Sequence, residues 1–126
     1  MKKKFAIILG EPNSINSEII SKSWKKIPKI IKKKIFFIGN FDIFKKKLSI
    51  LNLSIPIFKI HSLNNLKNNA LNILDISVKF KDPFKVNLKE DSRYIFNCIN
   101  RAHNLSTTGK ISGFINCAID KKKLFN

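Results

Sequence analysis

Gly10, Glu11, Pro12, Asn13 and Ile15 lie in the stretch IILGEPNSINSEII, where an apolar run stops and a polar, helix-forming segment begins. Glycine lets a ligand approach the backbone closely, and proline stiffens a turn. The amides that open a following helix point outward and favour an anion. The chemistry this pattern can serve is the holding of a phosphate or carboxylate at the end of a strand, where α/β sheets bind their ligands. A plain connecting loop explains the same residues, because short Gly/Pro/Asn loops join most such elements. The stretch is neither a G-x-G-x-x-G dinucleotide fingerprint nor a P-loop, since Gly10 is its only glycine and no Gly-Lys-Ser/Thr follows.

The other residues with chemical potential are few. Cys98 and Cys117 have no metal-type or redox-type spacing and sit in apolar runs, where a thiol behaves as a small hydrophobe. A reduced, cytoplasmic setting is expected from such cysteine usage. His103 falls on the apolar side of a helical pattern and reads as a packing residue, while His61 opens a polar loop and reads as solvent-facing.

The 126 residues make one domain or a piece of one, with 25 basic against 8 acidic residues and a net charge of +17. That balance suggests nucleic acid or an anionic surface as partner. Only Arg93 and Arg101 are arginine, and the abundance of lysine, isoleucine, asparagine and phenylalanine has the character of an AT-rich genome. Phosphate and base readers favour arginine's bidentate fork. The lysines fall in short runs at 32–34, 45–47 and 121–123, not along one stripe, so a compositional origin is preferred. Phe5, Phe36, Phe37, Phe44 and Phe114 fall in apolar patterns that suit a core, not a base-stacking platform, which also argues against nucleic acid. The start MKKKFAIILGEP imitates a signal peptide, but Phe5–Leu9 is too short for its apolar region. No run approaches the length of a membrane span, so a soluble protein is expected.

These residues need elements to position them. Phe5–Leu9 reads as a buried strand. Asn16 then reads as an N-cap, with Glu18 in the first turn of a helix that Pro28 brings to an end. A second strand spans Lys34–Asn40, followed by a helix with Phe41, Phe44, Leu48 and Leu51 on one face. Ile55–Ile60 is a third strand, which Pro56 confines to an edge or a strand start. His61 to Asn72 reads as a loop, Ile73–Ile76 as a short strand, and Asp82–Leu88 as irregular. Ser92 is expected to cap a long helix, Arg93 to about Ser106, whose face repeats through Ile95, Ile99, Ala102 and His103. Gly109 ends it, and Ile111–Ile115 is a last buried strand. The rhythm predicts an α/β fold: a mostly parallel sheet with helices on both faces and no internal domain boundary from 1 to 126.

GEPNSINSEI resembles the G-E-P-x-G-I-G-P-E signature of the 4-hydroxythreonine-4-phosphate dehydrogenase family, matching at Gly10, Glu11, Pro12, Ile15 and Glu18. Ser14 and Asn16 stand where the family has glycines and Ser17 at its proline; asparagine tolerates left-handed backbone better than most residues. The far end, SRYIFNCINRAHNLSTTGKISGFINCAIDKKKLFN, is similar to the family's long helix, strand and T-[GA]-P-[IVH]-[NH]-K loop. Ile115 and Lys121 keep their positions there, while Asn116, Cys117 and Ala118 replace the T-G-P core and Asp120 replaces its Asn or His.

The resemblance implies a fold like that of the isocitrate and isopropylmalate dehydrogenases, here incomplete. It implies an NAD-dependent oxidation of the secondary alcohol of 4-phosphooxy-L-threonine in pyridoxal phosphate synthesis, by a homodimer. A divalent metal held by histidines polarises the reacting oxygen in that chemistry. Those histidines belong to a later part of the family's sequence, so no metal ligand and no catalytic residue is expected in this chain. What it implies here is a pair of loops, Gly10–Ile15 and Asn116–Lys121, flanking the cleft, with Lys121 positioned for an anionic contact such as substrate phosphate. On charge alone Lys121 reads as a solvated member of its lysine run. The chain corresponds to roughly the first third of the enzyme, as a truncated, split or partial sequence, and is expected to be inactive alone with apolar surface uncovered. A small basic nucleic-acid-binding protein and a degenerate remnant are the alternatives.

Overall fold

Short apolar runs separated by capped helices assemble in the computed structural model, which describes residues 3–117, into five strands and four helices. The strands are β1 (Lys4–Ile8), β2 (Ile35–Gly39), β3 (Ile57–Ile60), β4 (Leu71–Asp75) and β5 (Ile111–Asn116). The helices are α1 (Asn16–Trp24), α2 (Lys29–Lys32), α3 (Phe41–Ile50) and α4 (Leu88–Thr107), with a single 3₁₀ turn at Leu63–Asn65. The sheet order is β3-β4-β2-β1-β5, and every pairing is parallel.

Alternate side chains of each strand leave opposite faces, so a sheet covered on both sides needs apolar residues at nearly every position. Phe36 and Ile38 of β2 join Ala6, Ile8, Leu74 and Ile111 beneath α4, which contributes Tyr94, Ile95, Cys98, Ala102 and Leu105. Phe37 points the other way and joins Leu9, Leu71 and Ile73 beneath α1 and α3, which contribute Ile20, Trp24, Phe44 and Leu48. Trp24 meets Phe37 edge-on, with ring centroids 6.0 Å apart. The expected α/β architecture is therefore present, with helices on both faces.

Several local expectations are corrected. α4 begins at Leu88, not Arg93, because Asn87 accepts a hydrogen bond from the Lys89 amide at 2.9 Å and serves as the cap in place of Ser92. Its buried stripe runs through Asp91, Tyr94, Ile95, Cys98, Ala102 and Leu105, which leaves His103 exposed and Ile99 half-buried. His103 is thus a surface residue, and His61 is exposed as expected. Asn16 is the first helical residue of α1, not its cap; its side-chain amide is turned inward and donates to the Leu9 carbonyl at 3.3 Å. α1 stops at Trp24, and Pro28 opens the separate α2. In α3 the cap is Asn40, and the buried face is Ile43, Phe44, Lys47 and Leu48, with Phe41 half-buried and Leu51 exposed.

Other boundaries follow the chain's chemistry. Pro56 precedes β3, which lies at the sheet edge. Gly109, at φ +75, closes α4 with the Lys110 amide bonded to Leu105 O and its own amide to Ser106 O, a Schellman ending. Phe36, Phe37 and Phe44 are buried and Phe114 half-buried, but Phe5 is 46% exposed, because its neighbour in the sheet is Gly113 of edge strand β5, which offers no side chain to cover it.

Gly39 ends β2 where the sheet, the Leu9 side chain and Tyr94 converge. A Cβ there would lie 2.8 Å from the Tyr94 hydroxyl and from Leu9 Cγ. Gly39→Ala is expected to lower stability by about 1–3 kcal/mol, the usual range for overpacking, read as a drop in the urea midpoint followed by circular dichroism.

Candidate functional site

Parallel strands send all their exits to one rim, and the β1 and β5 exits are adjacent on it. Ile8 pairs with Asn116, and the Cys117 amide donates to the Ile8 carbonyl at 3.0 Å. β1 runs on to β2 on one side and meets β5 on the other, which makes this the switch point of the sheet, the favoured place for a ligand in open α/β folds. The structure thus brings the strand end from which the Gly10–Ile15 turn departs beside Asn116 and Cys117; Ala118, Asp120 and Lys121 lie outside the described residues.

The turn is built from its own side chains. Gly10 takes φ +82, a conformation that costs other residues a Cβ clash. Glu11 O accepts from the Ser14 hydroxyl at 2.6 Å and from the Ser14 amide at 3.3 Å, closing the turn around Pro12 and Asn13. The Asn16 amide then donates to Ser14 Oγ at 3.2 Å. Asn13 reaches across to the segment before α4: its Oδ1 accepts from the Val86 amide at 2.7 Å, and its Nδ2 donates to the Val86 carbonyl at 3.0 Å. The same Nδ2 lies 3.5 Å from Asp91 Oδ2. Ile15 is exposed, Asn116 is exposed, and Cys117 is half-buried against the α1/α3 layer.

Beneath the turn is a charged interior that sequence reasoning missed. Lys47 is 1% exposed, its ammonium 5.2 Å from the centre of the Phe84 ring. Burial pushes its pKa down to about 8, against the pull of the Glu11 and Asp91 carboxylates, both also buried. Tyr94 shares this floor: its hydroxyl accepts from the Asn40 amide at 2.8 Å, and burial raises its pKa well above the ordinary phenol value. Lys47 was legible in principle, since it follows Ile43 and Phe44 at helical spacing and precedes Leu48 on the apolar face; its membership of a lysine run hid it.

The arrangement anchors a loop and presents its outer surface. The crevice among Gly10, Glu11, Ser17, Asn40, Phe44 and Tyr94 is about 10 Å³, room for about one water molecule. Burial pushes the Cys98 thiol up to about 12 and raises Cys117 as well, so neither is an activated nucleophile. Among the described residues no group of three His, Cys, Asp or Glu side chains is placed to hold a metal ion.

Two outcomes are expected. Asn13→Ala leaves the buried Val86 amide without its acceptor and should cost about 1–3 kcal/mol in chemical denaturation. Because the folded state lowers the Lys47 pKa from 10.5 to about 8, the unfolded chain binds more protons between those values and stability rises with pH across that window. The difference in urea midpoint between the parent and Lys47→Met should therefore grow in the parent's favour as pH rises above about 8, and a constant difference would exclude Lys47 as the group responsible.

No protein-family model matches the chain. A curated 4-hydroxythreonine-4-phosphate dehydrogenase from Sulfurihydrogenibium sp. (strain YO3AOP1) is 29% identical over 99 residues, which are 76% of this chain and 30% of that protein. Among solved structures, the 4-hydroxythreonine-4-phosphate dehydrogenase from Burkholderia phymatum superposes with a TM-score of 0.84 at 18% identity, covering 99% of this chain and 39% of that one. The Klebsiella pneumoniae enzyme of the same name gives 0.79 at 21% identity, with 98% and 39% covered. A terephthalate 1,2-cis-dihydrodioldehydrogenase from Burkholderia xenovorans LB400 gives 0.67 at 14% identity, with 99% and 37% covered, so the fold is shared beyond one activity. The chain thus spans about a third of the length of the proteins it matches, and over that span it is similar in sequence and in fold to 4-hydroxythreonine-4-phosphate dehydrogenase.

Proposed function

We propose that this chain is the first part of an NAD-dependent 4-hydroxythreonine-4-phosphate dehydrogenase, acting on the secondary alcohol of a phosphorylated amino acid. The observation that carries the reading is the meeting of the Gly10–Ile15 turn and the β5 exit at one rim, in a chain whose sequence relative bears that name. In this reading the turn and the β5 exit at Asn116 and Cys117 border the cleft, and Lys121, which lies outside the described residues, is assigned to substrate phosphate only by its position in the family's loop motif. A nicotinamide, when bound, would accept the hydride, and a divalent cation held by residues beyond those described would serve as a Lewis acid. The described residues do not fit the role of cation ligands, and no step is assigned to them. Their part is to hold the rim in shape: Asn13 fixes the turn to the α4 entrance, and Lys47 supports it from below.

Because the chain spans 30% of its curated relative, we expect catalysis only together with the remainder of such an enzyme, as a homodimer in the cytoplasm. Exposed Phe5 and Ile115 on neighbouring strands are the apolar surface such a remainder would cover. Two measurements test this. Titration with 4-hydroxythreonine 4-phosphate, followed by amide NMR, should shift Gly10–Glu18 and Asn116–Cys117; shifts confined to the amino rim of the sheet would overturn the site. The chain alone should form no NADH from that substrate and should bind a hydrophobic dye. A sharp cooperative melt from a soluble, dye-silent monomer would overturn the incompleteness of the fold.

A further inference from the structure

Helix α2 has no packing reason to carry isoleucines. None of its four residues is buried, Ile30 is 65% exposed and Ile31 41% exposed, and they stand side by side at the end of the sheet where β2 begins. Around them lie Lys25, Lys26, Lys29, Lys32, Lys33 and Lys34, with no carboxylate between Glu18 and Asp42. The turn is stiff. Pro28 O accepts from the Ile31 and Lys32 amides, both at 3.0 Å, and the Lys34 amide donates to Ile31 O at 2.9 Å. It is also fastened to the body, since the Lys4 ammonium donates to the Lys33 carbonyl and the Lys32 ammonium lies 5.0 Å from the centre of the Trp24 ring.

A cleft of about 190 Å³ opens beside this tip, walled by Lys4, Lys29, Lys32, Lys33 and Lys67 with no carboxylate in its lining. The described carboxylates lie elsewhere. Glu11 and Asp75 are at strand exits, Glu18, Asp42, Glu90 and Asp91 in the first turns of helices, and Asp82 in the segment before α4. The amino rim is therefore a cationic surface with two projecting apolar side chains.

We propose that α2 docks this protein on the surface of an anionic phospholipid bilayer, with Ile30 and Ile31 entering the boundary between headgroups and acyl chains and the surrounding lysines meeting lipid phosphates. The combination selects the partner. A nucleic-acid backbone would engage the lysines and leave the isoleucines in water. A second copy of the chain would set lysine against lysine. A bilayer of negative surface potential satisfies both features, as interfacial segments with basic and apolar residues do. No helix among the described residues is long and apolar enough to cross a membrane, and surface docking requires none.

The test uses the full 126-residue chain and sedimented vesicles. Binding is expected to vesicles containing phosphatidylglycerol and not to pure phosphatidylcholine. It should fall by at least about fivefold for each lysine reversed in Lys29→Glu and Lys33→Glu, and by at least as much in Ile30→Asp with Ile31→Asp. Circular dichroism should show all variants folded, since none of these side chains is buried. Ile30→Trp supplies an independent signal, a blue shift in fluorescence on adding anionic vesicles beyond any shift in the parent, whose Trp24 is buried. Four results would overturn the proposal: no binding, equal binding to phosphatidylcholine, binding unaffected by the aspartates, or preference for a poly-U RNA that those aspartates leave unchanged.

Discussion

Parallel pairing places every strand exit and the entrance to the helix that follows at one rim of the sheet, and that polarity organises the rest of the molecule. The carboxyl rim gathers positive helix ends, so carboxylates at Glu18, Asp42, Glu90 and Asp91 each fall in the first turn of a helix. The amino rim gathers helix carbonyl ends, where lysine is favoured. Among the described residues, a sequence that reads as a scatter of lysine runs thereby places its helix-start acids toward one rim and a cluster of lysines at the other. The net charge conceals this, because +17 says nothing of where the few acids sit.

The same polarity concentrates the strained and polar features where a ligand would come. Gly10 with positive φ, the Asn13 clamp, Asn40 with its cap and the buried Tyr94 hydroxyl all lie at or just under the carboxyl rim. Lys47 is the costliest of these, an ammonium withdrawn from water and compensated by two buried carboxylates on different segments. Such a group joins the first turn, α3 and the start of α4. Replacing it with an apolar residue would leave the buried Glu11 and Asp91 carboxylates without that nearby positive charge.

What could be read from the sequence followed from patterns with a short range. The strands β1, β2 and β5 announced themselves as apolar runs closed by glycine, proline or a polar residue, and Gly109 marked the end of α4. The errors arose where two residues competed for one role. Asn87 and Ser92 are both good caps, and only the position of the preceding loop decides between them. Ile99 and Cys98 could each lie at the centre of the α4 stripe by spacing, and packing on Cys98 is what leaves His103 exposed. The insertion of β4 between β3 and β2 is a matter of strand order, which periodicity does not encode. For the candidate site, the turn was legible through Gly10 and Pro12, whereas its support by Val86 and Asp91 depends on contacts more than 70 residues apart in sequence.

The departures from the dehydrogenase signature can now be weighed by what the backbone requires. Ser14 and Asn16 occupy positions where glycine is usual, which would matter if the turn needed left-handed conformations there. Among the described residues the only non-glycine positions with positive φ are Asn52 and Asn69, so neither Ser14 nor Asn16 adopts one. The tolerance of asparagine for left-handed backbone is therefore not what makes Asn16 acceptable. It is acceptable because it begins α1 and gives its side-chain amide to the Leu9 carbonyl. Ser14 likewise stabilises the turn through Glu11 O and the Asn16 amide. What these side chains remove is open space beside the backbone, since a hydroxymethyl and a carboxamide fill volume that glycine leaves to a ligand. The turn is thus held by its own side chains at the two positions where the resembled signature has glycine.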